Sequence, residues 1–130
     1  MLFNDTICEH FTNPRNVGEL PGHNRVVKIG NPVCGDTIVL HALVLANRVE
    51  DLRFLAYGCA TSIATASIIS SFMKGRTLQE LASLKRGEVA AMLGELDPPQ
   101  QHCVDIGMEL IERLVLGREV GQVEGDLFGQ

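Results

Sequence analysis

The sequence predicts an α+β fold, a three-stranded antiparallel sheet with helices packed on one face. Two observations carry this. Through residue 56 the chain offers short β-branched or alternating runs separated by turn residues. After that it offers runs with helical spacing, opened by capping residues and closed by glycine. Strands first and helices afterwards is the order of an α+β domain rather than of alternating βαβ units.

The elements follow in order. A short helix is expected over residues 4–11, where Asn4 or Asp5 can cap it and Ile7, Cys8 and Phe11 fall at one-face spacing. It ends at Asn13-Pro14, because the residue before a proline is pushed out of the helical region. A loop with Gly18, Pro21 and Gly22 comes next. RVVKIG (25–30) and TIVLHALVL (37–45) are rich in β-branched residues, and VEDLRFLA (49–56) alternates through Leu52, Phe54 and Ala56. The short break at Ala46-Asn47-Arg48 suits a hairpin.

TSIATASIISSFMK (61–74) reads as a helix stopped by Gly75, with Ile63, Ala66, Ile69 and Met73 toward the core. Thr77 opens a short helix through Leu84, and Glu80 completes a capping box. Residues 87–94 form a further helical piece. Asp97-Pro98-Pro99 reads as a cap followed by first-turn prolines. A long helix then runs from about residue 99 to 118, with Val104, Met108, Ile111 and Val115 on one stripe. No repeat or linker interrupts the chain. The expectation is one domain over residues 1–118 and a flexible Gly-rich tail over 119–130.

Composition bounds the function. A chain of 130 residues buries roughly two thirds of its unfolded surface and needs no disulfide to hold a core. No apolar stretch approaches the roughly 20 residues that span a bilayer. MLFNDTICEH has an acid at Asp5 and no basic n-region, unlike a signal peptide. The expected setting is cytoplasmic, with no membrane partner. With a net charge of −5, no Trp and no basic stripe, nucleic acid is not expected as a partner either.

The chemistry lies in four cysteines, Cys8, Cys34, Cys59 and Cys103. Cysteines scattered through a cytosolic chain are buried, catalytic or metal-binding more often than disulfide-bonded. No pair has CxxC spacing, so context must decide. Cys34 sits in Asn31-Pro-Val-Cys-Gly-Asp36, the turn between the first two strands. Cys59 sits in Tyr57-Gly-Cys-Ala-Thr-Ser62, where a strand gives way to a helix, and Cys103 follows His102 near the start of the last helix. All three lie at element boundaries, whereas Cys8 lies mid-helix and reads as a core residue. Two of the three are near helix N-termini, which favour an anion by about 0.3–1 kcal/mol. A thiolate there is a nucleophile and a metal ligand.

Gly35 and Gly58 allow close approach, Asp36 offers a hard oxygen and His102 an imidazole. Three sulfurs with one nitrogen or oxygen suit tetrahedral zinc or an iron–sulfur centre. For each cysteine singly, a buried inert thiol fits its local context equally well. His102 could instead cap or orient, since helix neighbours point about 100° apart and share one metal only if the helix start is irregular. His10 and His41 read as packing or surface residues, and His23 as facing solvent. Glu9, Glu19 and the charges of residues 85–88 read as solvated surface.

Taken together, His10-Phe-Thr-Asn-Pro-Arg-Asn-Val-Gly18, Asn31-Pro-Val-Cys-Gly-Asp36, Tyr57-Gly-Cys-Ala-Thr-Ser-Ile-Ala64 and His102-Cys103 resemble the IscU / NifU N-terminal family of iron–sulfur cluster assembly scaffolds. The resemblance runs from about residue 2 to 118. It implies an IscU/SufE-like fold in which three cysteine loops meet at one end. It implies Cys34, Asp36, Cys59, His102 and Cys103 as ligands of cluster and metal, and Cys103 as the persulfide acceptor. It implies a scaffold or carrier that takes persulfide sulfur from a cysteine desulfurase, takes up iron, builds a 2Fe–2S cluster and passes it to acceptor apo-proteins. It admits frataxin-like or ferredoxin partners, and zinc in place of the cluster.

There are departures. The family's Leu-Pro-Pro-Val-Lys stretch is replaced by Leu96-Asp-Pro-Pro-Gln100, so the dedicated Hsp70/J-protein chaperone is not carried over. No long insertion separates Cys59 from Cys103, which favours the IscU branch over the SufU branch. No C-terminal CxxC domain follows, unlike full-length NifU. Cys8 replaces an aliphatic position, in keeping with its core reading. A zinc-bound sulfurtransferase of the SufU type, relaying persulfide, is the rival reading. A thiol enzyme using Cys103 with His102 is a weaker one, because no third orienting group is evident.

Overall fold

Alternation of apolar side chains builds the sheet, and one bulge adjusts it. The computed structural model describes residues 4–31, 36–96, 98 and 101–117. Strands β1 (Arg25–Asn31), β2 (Asp36–Leu45) and β3 (Arg48–Tyr57) pair antiparallel in the order β1-β2-β3. Val27 and Ile29, then Ile38, Leu40, Ala42 and Val44, then Val49, Leu52 and Phe54 are the buried apolar residues of the three strands. Val49 and Leu52 are three residues apart and would lie on opposite faces of a regular strand. The register shift between Leu43 and Val44, which pair with Asp51 and Val49, lets both turn inward. Ala46 and Asn47 both have positive φ (53° and 63°), the requirement of a two-residue primed hairpin turn.

The helices are α1 (Asp5–Thr12), α2 (Ala60–Met73), α3 (Leu78–Ala82), α4 (Arg86–Leu93) and α5 (His102–Leu116). Thr77 and Glu80 form the expected capping box at α3. Among the described residues no helix is long and apolar enough to cross a membrane. The tail over 119–130 lies outside the described residues, as do Asp97, Pro99 and Gln100 of the expected cap and proline turn.

α2 is the centre of the fold. It packs against the sheet, α1, α4 and α5, and is buried nearly all round, with Ile63 only half-buried. Its hydroxyls therefore need internal partners. Thr65 Oγ1 donates to the Thr61 carbonyl (2.6 Å) and Ser70 Oγ to the Ser67 carbonyl (2.9 Å). Ser67 Oγ accepts the Arg15 N–H (2.8 Å) and meets His10 Nδ1 (2.7 Å).

That contact corrects the reading of Cys8. α1 docks on α2 through the side carrying Ile7 (0% exposed) and His10. Cys8, about 100° further round the helix, is exposed, and Phe11 is 46% exposed. α1 is secured by Asn4, whose Oδ1 accepts the Ile7 N–H (2.8 Å) and whose Nδ2 donates to the carbonyls of Leu93 (2.9 Å) and Glu95 (2.6 Å). Asn4→Ala is expected to cost about 1–2 kcal/mol, the upper range for a lost N-cap, because it also strands these carbonyls. A denaturant midpoint equal to wild type would contradict this.

The stripe expected on α5 is rotated. Cys103, Val104, Gly107, Leu110, Ile111 and Leu114 are buried, while Met108 and Val115 are half-buried. Gly107 is the cause. A Cβ there would stand 3.0 Å from Val89 Cγ1 and 3.2 Å from Ile69 Cδ1, so the bare backbone is what lets α5 settle onto α2 and α4.

The loop after α1 crosses the sheet's outer face. Gly18 N–H donates to the Phe54 carbonyl (2.8 Å), Leu20 N–H to His41 Nδ1 (3.3 Å) and Asn24 N–H to the Ala42 carbonyl (2.9 Å). His23 does not face solvent freely. Its ring stacks on His41 at 3.9 Å and 12°, and its Nδ1 lies 2.7 Å from the Leu20 carbonyl. Accepting from Leu20 requires His41 to be unprotonated at Nδ1. Burial first, then His23 and Lys28, push the His41 pKa below its ordinary value, against Glu19. Burial and Arg15 lower that of His10, against Glu9. Both depressed values mean that the unfolded chain binds more protons. Their contribution is complete above the unfolded pKa of about 6.5 and is lost as pH falls from there toward the folded values. Tm is therefore expected to drop between pH 7.5 and 5.5, and less so in His41→Gln. A calorimetric Tm that is flat over this range would contradict the assignment.

Candidate functional site

The pairing register decides which segments share an end of the sheet. Asn31 pairs with Asp36, closing the β1–β2 turn, and Thr37 pairs with Tyr57 at the end of β3. The chain leaves β3 through Gly58, whose φ of 143° belongs to glycine, and enters α2 at once with Cys59 as N-cap. Asp36 and Cys59 are thus level across the β2–β3 edge. Cys34 lies outside the described residues, within the turn between Asn31 and Asp36, and the Asp36 side chain lies outside them as well.

α5 packs beside β1. Arg25, opening β1, donates from Nη1 to the Leu114 carbonyl (2.6 Å), and Arg113 Nη1 donates to the Lys28 carbonyl (3.2 Å). The C-terminal part of α5 therefore lies beside the start of β1. Eleven residues back along α5 is about 17 Å, and six residues along β1 is about 20 Å. The two lengths are similar, so α5 is long enough to run the length of β1.

The environments of the candidate ligands differ. Cys59 is exposed, with its Sγ 3.0 Å from Thr61 Oγ1 and 3.5 Å from Ser62 Oγ. Cys103 is 0% exposed and belongs to the apolar core, whereas His102 is half-buried. The helix start is irregular. Gln101, the N-cap, has helical angles (φ −63°, ψ −24°), and Val104 N–H donates to Gln101 O (3.1 Å) across three residues. Among the described residues, no group of three His, Cys, Asp or Glu is arranged to hold a metal ion. The remaining donors of the set are Cys34 and Asp36.

Sequence reasoning passed over Thr61 and Ser62. Their signal was present, because hydroxyl residues two and three after a capping Cys59 fall in the first turn of α2, beside the cap.

The model for the NifU-like N terminal domain matches residues 2–117. The chain belongs to that family. Within it, the chain is 36% identical over 125 residues to iron-sulfur cluster assembly scaffold protein IscU 1 of Archaeoglobus fulgidus, covering 95% of this chain and 82% of that one. It is 36% identical over 111 residues to the scaffold protein IscU of Aquifex aeolicus, covering 84% and 71%. The solved structure of FiSufU, a SUF-system protein of Fervidobacterium islandicum AW-1, superposes with a TM-score of 0.61 at 22% identity, covering 86% of this chain and 85% of that one. At that identity the likeness concerns the fold. The NifU-like domain thus has the expected three-stranded antiparallel sheet with helices.

Proposed function

We propose that this NifU-like domain is an iron–sulfur cluster assembly scaffold, a carrier rather than an enzyme. It receives persulfide sulfur from a cysteine desulfurase and iron, assembles a 2Fe–2S cluster as ferrous iron and a thiol or ferredoxin-like reductant supply the electrons that bring that sulfur to sulfide, and hands the cluster to acceptor apo-proteins. The relatives named as IscU scaffolds support this over most of the chain. What supports it in the fold is the β pairing that brings Asp36 and the end of β3, which Cys59 soon follows, to one end of the sheet. Cys34, Cys59 and Cys103 supply thiolates, which suit iron and bridging sulfide. Asp36 and His102 complete the donor set, with Cys103 as persulfide acceptor. Bound iron and sulfide are the cargo. The chain's own part is to hold them loosely enough to release.

The same donors suit zinc, so a zinc-bound sulfurtransferase relaying persulfide is the second reading. Anaerobic incubation with iron, cysteine and a desulfurase separates the two. The scaffold reading expects 2Fe–2S absorption that disappears in Cys34→Ala, Cys59→Ala or Cys103→Ala. Absorption that survives any one of these removes that residue from the set.

A further inference from the structure

Burial obliges the two hydroxyls after Cys59 to find partners. Thr61 is 4% exposed and Ser62 0%, and hydroxyls shut away from water are paired in nearly all native proteins. Both lie close to the Cys59 sulfur, at 3.0 and 3.5 Å. Cys59 is the N-cap of α2, yet its side chain makes no capping hydrogen bond to the helix backbone. Its sulfur is engaged instead by hydroxyls of the first turn.

We propose that Thr61 is a positioning residue of the cluster site, its hydroxyl donating to the Cys59 sulfur when that sulfur is an iron-bound thiolate, with Ser62 a weaker second donor. This rests on the scaffold reading above. In the protonated state either partner of a Cys–Thr pair can donate. A thiolate on iron has no proton and can only accept, so the hydroxyls are the donors. Hydrogen bonds to cluster sulfurs are among the determinants of reduction potential. Donation lowers the energy of the sulfur electrons, which raises the potential and weakens the iron–sulfur bond. The first turn that carries the donor is itself tied, since Thr65 Oγ1 donates to the Thr61 carbonyl at 2.6 Å. A weakened thiolate at this corner favours release, the property that a carrier needs.

Thr61→Val keeps the shape and removes the hydroxyl, and Thr61→Ser restores a hydroxyl. Wild type and variants are reconstituted anaerobically with ferrous iron and sulfide. The sulfur-to-iron charge-transfer bands and the reduction potential are then recorded. Thr61→Val is expected to move the bands to longer wavelength and the potential to more negative values, with Thr61→Ser close to wild type. Ser62→Ala is expected to move both in the same direction by less, and it carries the test if the valine variant does not fold. Bands and potential unchanged in these variants would overturn the inference while leaving the scaffold reading intact. A wild-type chain that forms no cluster would overturn both.

Discussion

In the metal-free native chain Cys103 is expected to react with iodoacetamide at least about a hundredfold more slowly than Cys59, which corresponds to an opening free energy of about 2.7 kcal/mol. Cys103 is 0% exposed, in the first turn of α5 and in contact with the core, while Cys59 and Cys8 are exposed. A reagent reaches a buried sulfur only when the segment opens, so its rate is scaled by the open fraction. Mass spectrometry of timed, quenched digests gives each site separately. Cys59 and Cys8 serve as internal references, and labelling in denaturant should remove the difference. Equal native rates at positions 59 and 103 would show that the first turn of α5 is already open. The consequence for function is direct. If Cys103 accepts persulfide, the sulfur donor must meet a chain whose α5 start has been loosened, by local unfolding or by the donor's own docking. The tightened turn at Gln101 is where that loosening would begin.

Asp36→Ala is expected to slow cluster transfer to an acceptor by about tenfold or more, the scale on which groups around a metal site alter affinity. A carboxylate is a hard ligand and a poor match for an iron–sulfur centre, for which thiolates are the soft partners. Asp36 opens β2, directly after the turn that contains Cys34 and level with the end of β3. As the proposed oxygen ligand, it would give a looser hold on iron than a fourth thiolate. The variant should therefore keep its visible spectrum longer during incubation with an apo-acceptor. Transfer as fast as wild type would remove Asp36 from the release step.

Much of the fold was legible because it rests on local chemistry. The hairpin at Ala46-Asn47, the Thr77–Glu80 box and the stop at Gly75 all follow from turn and capping residues. What was not legible depended on which neighbour each face meets. Cys8 and Ile7 are adjacent and both apolar. Only the docking of α1 on α2, fixed by His10 on Ser67 and by Asn4 on the end of α4, decides that Ile7 goes in and Cys8 out. The α5 stripe shifted for a similar reason. Gly107 reads as a weak helix residue in sequence, yet it is the point of closest approach to Ile69 and Val89. Stacking of His23 on His41 joins a loop to a strand, and no local pattern announces it.

For the site, the position of the cysteines at element boundaries and the family resemblance named the candidate ligands, and β pairing explains how Asp36 and the end of β3 before Cys59 reach one end of the sheet. The burial of Cys103 was not legible, because it depends on how α5 packs into the core.

Transfer is the property that separates a scaffold from a sulfur relay. Wild-type chain loaded with iron and sulfide is mixed with an apo-ferredoxin under a chelator that traps iron in solution, and the acceptor's 2Fe–2S spectrum is followed. The acceptor is expected to gain its cluster while the NifU-like domain loses its own at the same rate. A colourless chain that holds one zinc, accepts persulfide and never delivers a cluster would contradict it.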